Sequence, residues 1–355
     1  MSSYYANAQK KAKILKERGE AVFLAIETSC DETAAAVMRG FKPLSSAVHT
    51  QIDIHKKYGG VVPEIASRNH VQMIDIVVKD ALDKANMTLK DIEAIAVTYG
   101  PGLVGALLCG VSYAKALAYA LDIPLFAINH IEGHICANYV EHEWLKPPFM
   151  CLVVSGGHSH IVNISEHGVY RLIGKTRDDA AGEAFDKAAR VLGLPYPGGP
   201  EVDKLSKGGD PEKFPLPMPK VEGYGYSFSG LKTAMLQTAQ RLEKTGGYDK
   251  KDAAASFQNC VTKQLTGKAI QAALDFGAST LAVAGGVAAN SALRSSLEKE
   301  CEKHGIKFCA PSLKYCTDNA VMIGAAANIA LQNQLPADLS LNAEPSLRLN
   351  MIEHI

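Results

Sequence analysis

The chain has 355 residues, enough for two domains of ordinary size, each with its own core. Apolar residues make up 47% and charged residues 21%, a composition that excludes broad disorder. Lysine plus arginine and aspartate plus glutamate balance at 37 each, so no global field attracts a polyanion, and a nucleic-acid partner has to be gripped by local patches or by other subunits.

Residues 1–20 carry five basic and two acidic side chains and no apolar stretch of the kind a secretory leader needs. They read as a solvated N-terminal helix. Lys10, Lys11, Lys13, Lys16 and Arg18 also suit a mitochondrial leader, but Glu17, Glu20 and the scarcity of arginine weigh against it. From Ala21 the pattern predicts a strand over Val22–Glu27, a polar turn over Thr28–Glu32, and a second strand over Ala34–Met38, together a hairpin. A third strand covers Leu44–Val48. Helical periodicity runs from Glu64 to about Lys84, followed by a strand over Ala94–Thr98. Leu103–Leu121 is the most apolar segment. Gly105, Gly110, Ser112 and Lys115 within it favour a buried helix over a membrane span, so no membrane is expected. A strand over Pro124–Ile128 leads into a helix at His130.

The order then recurs. Strands are predicted over Phe149–Val154, His160–Ile164 and Tyr170–Ile173, with helices from about Gly182. A Pro/Gly-rich excursion over 195–219 interrupts, then helices cover Leu231–Arg241 and Ala253–Phe276. A strand over Leu281–Ala284, a helix after Asn290, a strand over Ile306–Cys309 and a helix from Asp318 to about Leu331 close the second half. Three strands plus alternating helices, occurring twice, imply a duplicated α/β fold with its site in the cleft between the halves. The expected division is an extension over 1–20, one half over 21–128 plus 318–355, and the other over 129–317. The eight cysteines form no CxxC pair, and several lie in apolar runs such as Met150-Cys151-Leu152-Val153. They read as reduced core residues of a cytoplasmic protein.

His130 and His134 lie one helical turn apart, so both rings project from one face and could grip one metal ion, unless they are capping or core histidines. At about 100° per residue Glu132 sits roughly 200° round from His130, which removes a zinc-protease reading. Asp318, opening the last apolar helix, is either an N-cap or a third ligand beside the two imidazoles. After a purely apolar strand, Ser155-Gly156-Gly157 is either an anion cradle of bare backbone N–H groups or a plain hairpin turn. Thr28 to Thr33, including Asp31 and Glu32, fills the equivalent turn in the first half, as ligand contacts or as ordinary turn residues. Gly285-Gly286, with Asn290 close behind, has the look of a nucleoside-binding edge. Asp186 and Asp203 flank Tyr196-Pro197-Gly198-Gly199-Pro200, as hydroxyl-binding carboxylates or as exposed loop acids. Ser229-Gly230-Leu231-Lys232-Thr233 lacks the first glycine of a P-loop and is not one.

Taken together, Ile26 to Thr33, Tyr58 to Glu64, Gly100 to Leu103, Asn129 to His134, Val154 to His158, Asp179 to Lys187, Tyr226 to Thr233 and Gly285 to Asn290 resemble the TsaD family. Its members transfer a threonylcarbamoyl group to tRNA. The match runs in order over about residues 21 to 340. The resemblance implies an actin-like, Hsp70-like (ASKHA) fold and threonylcarbamoyl-AMP as substrate, with adenosine 37 of tRNAs reading ANN codons as acceptor. It implies an iron or zinc ion on His130, His134 and Asp318. It further implies that Val153, Val154, Ser155, Gly156, Gly157, Asp186, Gly199, Asp203 and Asn290 hold the adenylate. An inactive paralogue, TsaB, and a small ATPase, TsaE, are the implied bacterial partners. Residues 1–20 precede the family pattern.

The reaction class is acyl transfer, with Asp31 or Glu32 the candidate general base. Lys56-Lys57, Lys175 with Arg177, and the N-terminal lysines are candidate tRNA contacts. Rival readings are a kinase or ATPase of the same fold, disfavoured because a histidine pair is a poor magnesium site, and a metalloprotease.

Overall fold

The computed structural model describes residues 3–218, 221–244 and 247–349. The chain divides into two compact units, Met1–Leu145 with Thr317–Ile355, and Lys146–Cys316.

The first unit opens with helix α1 (Ser3–Arg18). Tyr4, Ala8, Ala12 and Leu15 recur at helical spacing and are buried, which docks one face of α1 on the unit. The Tyr4 hydroxyl donates to the Ile123 carbonyl at 2.9 Å, Lys11 pairs with Asp122 at 2.9 Å, and Arg18 forks onto both oxygens of Glu93. The expected solvated extension is therefore corrected: alanines and a leucine at the right spacing give the basic helix an apolar side, and the body offers a place for it.

Next come β1 (Val22–Glu27), β2 (Glu32–Arg39), β3 (Lys42–Thr50), the short α2 (Ile52–His55), α3 (Pro63–Lys84), β4 (Ala94–Gly100), α4 (Val104–Leu121), β5 (Leu125–Asn129) and α5 (His130–Cys136). Sheet order is β3-β2-β1-β4-β5, with β1 antiparallel to β2 and parallel to β4. β1 is central and buried throughout. Its side chains alternate as a strand requires: Leu24 and Ile26 join the cluster formed with α3 and α4, while Ala25 faces the opposite helix layer. The apolar helix α4 is only half-buried. Ala106, Leu107, Val111, Ala114 and Ala118 pack inward, while Val104 and Tyr119 are exposed. Its length and composition would cross a membrane, yet its inner face packs on β4 and α3.

The second unit repeats the plan with β6 (Phe149–Val154), β7 (Ser159–Glu166), β8 (Val169–Lys175), α6 (Ala181–Leu192), α7 (Gly198–Leu205), α8 (Ser229–Lys244), α9 (Lys250–Asp275), β9 (Thr280–Ala284), α10 (Ser291–Lys303) and β10 (Lys307–Cys309). Sheet order is β8-β7-β6-β9-β10, the order and pairing senses of the first sheet. The Pro/Gly excursion is not wholly irregular, since α7 forms inside it. The chain then returns to the first unit as α11 (Ala320–Asn333), which packs on β1, β2 and α5.

The expected boundary at 128/129 is also corrected. Residues 129–145 stay in the first unit because α5 rests on α11, with Gly133 against Ile323 and Met322. Beyond α11 the chain runs back along the first unit. Glu344 N–H donates to the Tyr99 carbonyl, and the Asn129 amide donates to the Arg348 carbonyl at 3.0 Å.

Leu15→Ala, which removes a buried leucine from the α1 face, should lower stability by about 2 kcal/mol in denaturant unfolding. Zinc affinity should not change, because α1 lies beside the segments that enter β4 and β5 rather than those that leave them.

Candidate metal centre and anion-binding turn

Three side chains of the first unit converge. Asn129 caps α5, its side-chain oxygen accepting from the Ile131 N–H at 2.8 Å, so His130 is the first helical residue and His134 follows one turn later. The ring centroids lie 4.6 Å apart. Asp318 Oδ1 is 3.5 Å from His130 Nε2 and 3.2 Å from His134 Nε2. One ligand atom from each residue falls within 4.8 Å of the others. The N-cap of α11 is Asn319, which accepts from the Met322 N–H at 3.0 Å. Asp318 precedes the cap and its carboxylate serves the histidines instead. Glu132 is buried but stands outside this cluster, as helix geometry predicts.

His130 Nδ1 is 3.2 Å from Glu27 Oε2 and 3.1 Å from Ser29 Oγ. Glu27, the last residue of β1, is wholly buried. Burial by itself would raise its carboxyl, but the His130 ring, helped by the Ser29 side chain, outweighs that and holds it below the ordinary value. Burial likewise opposes a charge on His130, yet the Asp318 and Glu27 carboxylates override it and push the imidazole up to about 9. Burial is the largest influence on His134 and pushes it down.

A divalent ion fits this donor set. His134 Nδ1 is buried with no hydrogen-bond partner, and His134 Nε2, also buried, faces only Asp318 Oδ1 at 3.2 Å, an arrangement that is costly unless something else binds there. Two imidazoles plus one carboxylate is a borderline donor set, suited to iron or zinc rather than magnesium.

Asp31 and Glu32 stand at the same end of β1. The chain there is pinned to the entry of α4: Leu103 N–H donates to the Ser29 carbonyl at 2.8 Å, and the Thr28 hydroxyl donates to Ala106 at 2.9 Å. A Cβ at Gly102 would meet Ser29 Cβ at 2.8 Å, so this close approach needs glycine. Glu32 is raised well above the ordinary carboxylate range by burial first, then by the negative charges of Asp31 and Asp318.

In the second unit the Ser155-Gly156-Gly157 turn joins β6 to β7. Ser155 N–H donates to the His158 carbonyl at 2.8 Å and His158 N–H to Ser155 Oγ at 3.2 Å, closing the turn. Gly156 and Gly157 are exposed, and a Cβ on either would meet no protein atom, so open space lies in front of their backbone. Val153 and Val154 are buried in β6 beneath it. Two further backbone segments close on the turn: a Cβ at Gly182 would meet Gly156 Cα at 2.7 Å, and one at Gly285, whose φ is +91°, would strike the Val154 carbonyl. Gly285-Gly286 thus adjoins the turn, as a nucleoside edge would.

The acids are placed differently from the expectation. Gly199 lies in the first turn of α7 rather than in a loop, and Asp186 caps that helix from α6 by accepting from the Gly198 N–H at 2.7 Å. Burial raises the Asp186 carboxyl despite the N–H groups of Gly198 and Gly199. Asp203 lies within α7 and accepts from the Ser291 hydroxyl at 2.8 Å. Asn290 caps α10 and donates to Gln258 Oε1 at 2.7 Å, so its amide already has structural partners. The sequence reading assigned Glu27 no role, although a lone acid ending an otherwise apolar strand was visible. The rejected P-loop segment opens α8, where the Asp178 carboxylate accepts from the Phe228 and Ser229 N–H groups.

The fold is shared with T. kodakarensis HypF, with a TM-score of 0.62 at 14% identity over 88% of this chain and 48% of that one. The chain spans about half of HypF, and at this identity the likeness concerns the fold alone. It is of the duplicated α/β ASKHA type. The sequence model of TsaD, tRNA N6-adenosine threonylcarbamoyltransferase, matches residues 42–325. Curated proteins of that name are 55% identical in Clostridium perfringens, over 92% of this chain and 98% of the relative, and 53% identical in Clostridioides difficile, over 93% and 98%. The chain belongs to the TsaD family.

His130 carries a testable pH signature in metal-free protein. Its folded value of about 9 exceeds the ordinary 6.5, so the stabilisation from its charge is complete below about pH 6.5 and disappears as pH rises through about 9. Thermal melts across pH 6–10 should show this fall in the wild type and not in His130→Asn.

Proposed function

We propose that this protein transfers the threonylcarbamoyl group from threonylcarbamoyl-AMP to the exocyclic amine of adenosine 37 in tRNAs reading ANN codons, releasing AMP. The observation that carries this reading is the convergence of His130, His134 and Asp318 in a chain of the TsaD family. A bound iron or zinc ion would supply Lewis-acid stabilisation to charge developing on a phosphate or carbamoyl oxygen.

The protein's own groups supply the rest. The backbone N–H groups of Ser155, Gly156 and Gly157 offer an anion cradle, and Val153 and Val154 form its floor. Gly285-Gly286 presents bare backbone to the nucleoside, with Asp186, Gly199, Asp203 and Asn290 holding its polar groups. For the three side chains, Asp186, Asp203 and Asn290, this asks a ligand to share or replace partners they already have. Asp31 and Glu32 are the proposed acceptors of the proton that leaves the attacking amine. Two carboxylates side by side with one held high suit a shared proton.

The tRNA would be gripped locally, since the net charge is zero. Lys56, Lys57, Lys175, Arg177, Lys10, Lys13 and Lys16 are exposed and are the proposed contacts, whereas Lys11 is committed to Asp122. The inactive paralogue TsaB and the ATPase TsaE are the proposed partners, in the cytoplasm. A kinase reading finds no cluster of carboxylates alone at the metal position, and a protease reading finds Glu132 outside it.

Reconstitution with tRNA, threonylcarbamoyl-AMP and the partners should yield threonylcarbamoyladenosine, and His130→Ala should lower the rate at least about a hundredfold. No product from the wild type in that mixture would overturn the function. Asp31→Asn should lower kcat about a hundredfold while adenylate affinity, measured by calorimetry, stays unchanged.

A further inference from the structure

We propose that Glu27 is a positioning residue of the metal centre: by accepting the Nδ1 proton of His130, it fixes the tautomer whose Nε2 lone pair faces the metal position. The inference rests on the metal reading above but concerns a residue outside the ligand set.

A neutral imidazole carries one proton, and a ring that binds metal through Nε2 must keep that proton on Nδ1. Two groups face His130 Nδ1, Ser29 Oγ at 3.1 Å and Glu27 Oε2 at 3.2 Å. The hydroxyl can donate or accept and so permits either tautomer. An ionised carboxylate only accepts, so it makes the choice. Nε2 of the same ring points to Asp318 Oδ1, 3.5 Å away.

Glu27 is held for this task. Its Oε1 accepts from the Ser29 N–H and its Oε2 from the Thr98 hydroxyl, each at 2.5 Å. Thr98 lies on β4, parallel to β1, where the register pairs Ile26 with Val97 and so brings the two polar ends side by side. Among the described residues no lysine or arginine forms an ion pair with Glu27. A wholly buried carboxylate in that setting needs a positive partner, and a metal-bound imidazole, polarised by the ion, is one. His134 offers the contrast. Its Nδ1 has no hydrogen-bond partner, so of the two rings only His130 has an acceptor on the nitrogen turned away from Asp318.

Substituting glutamine tests the charge at constant shape. Both Glu27 oxygens already accept, so in either orientation the amide NH₂ of Glu27→Gln faces another donor. Zinc dissociation constants, measured by chelator competition on purified protein, should rise about 10- to 100-fold in Glu27→Gln and by less in Thr98→Val, which frees the carboxylate to turn. In zinc-loaded protein with ¹⁵N-labelled histidine, a slowly exchanging His130 Nδ1–H should be present in the wild type and absent in Glu27→Ala. Circular dichroism of metal-free protein checks the fold. Unchanged zinc affinity in folded Glu27→Gln overturns the proposal. Should that variant not fold, unchanged affinity in Thr98→Val overturns it instead. A wild type that binds zinc but makes no threonylcarbamoyladenosine fails the functional reading alone, whereas a wild type that binds no zinc overturns the metal centre and this proposal together.

Discussion

Gly133 lies where α5 crosses α11, so close that a Cβ there would meet Ile323 Cδ1 at 2.8 Å and Met322 Cγ at 3.3 Å. The candidate metal centre depends on that approach. Two of the candidate ligands ride on α5 and the third sits just ahead of α11, and only contact between these helices brings these distant parts of the chain together. The capping pattern serves the same end. Asn129 and Asn319 take the N-cap positions, which leaves His130 and Asp318, one residue to either side, available to face each other. Beneath them β1, central in its sheet, delivers Glu27 to the rear of the His130 ring.

Duplication supplies two copies of one scaffold, and side-chain chemistry has divided the work. In each sheet the turn after the central strand stands at the carboxyl end of two parallel strands, the place where open α/β sheets bind ligands. The first copy fills that turn with hydroxyls and carboxylates and packs it against Gly102, just ahead of α4, and Gly110 within it. The second fills it with glycines and packs it against the Gly182 and Gly285 backbones. One unit therefore offers charge and candidate metal ligands, and the other bare N–H groups and open space. Burial raises the stakes in the first, because each buried charge there is tolerable only through its neighbours.

Elements were legible wherever the apolar period was strong. Phe149–Val154 and Val22–Glu27 match the observed strands residue for residue, since central strands buried on both faces leave an unbroken apolar run. The repeated strand order followed from the recurring pattern. The pairing of His130 and His134 on one helical face was also legible, because spacing along one helix is a local property. Burial was less so. The sequence read α4 as a buried helix and α1 as a solvated one, and both turned out to have two faces, because packing depends on what the rest of the chain presents.

By itself, then, the sequence determined the duplicated α/β plan, the two histidines on one helical face, the glycine turn and, through its motifs, membership of the TsaD family. All of these reside in local spacing or in motif order. Tertiary structure decided that Asp318 is not a cap, that Asp186 and Asn290 are capping residues, that 129–145 stays with the first unit, and that Glu27 stands behind His130. Each of these turns on which partner a residue wins: a nearby N–H for the Asn319 and Asn290 caps, the Gly198 N–H for Asp186, the His130 ring for Glu27 and the face of α11 for α5. That competition is settled by contacts of about 3 Å made in the folded chain, several of them between residues far apart in sequence.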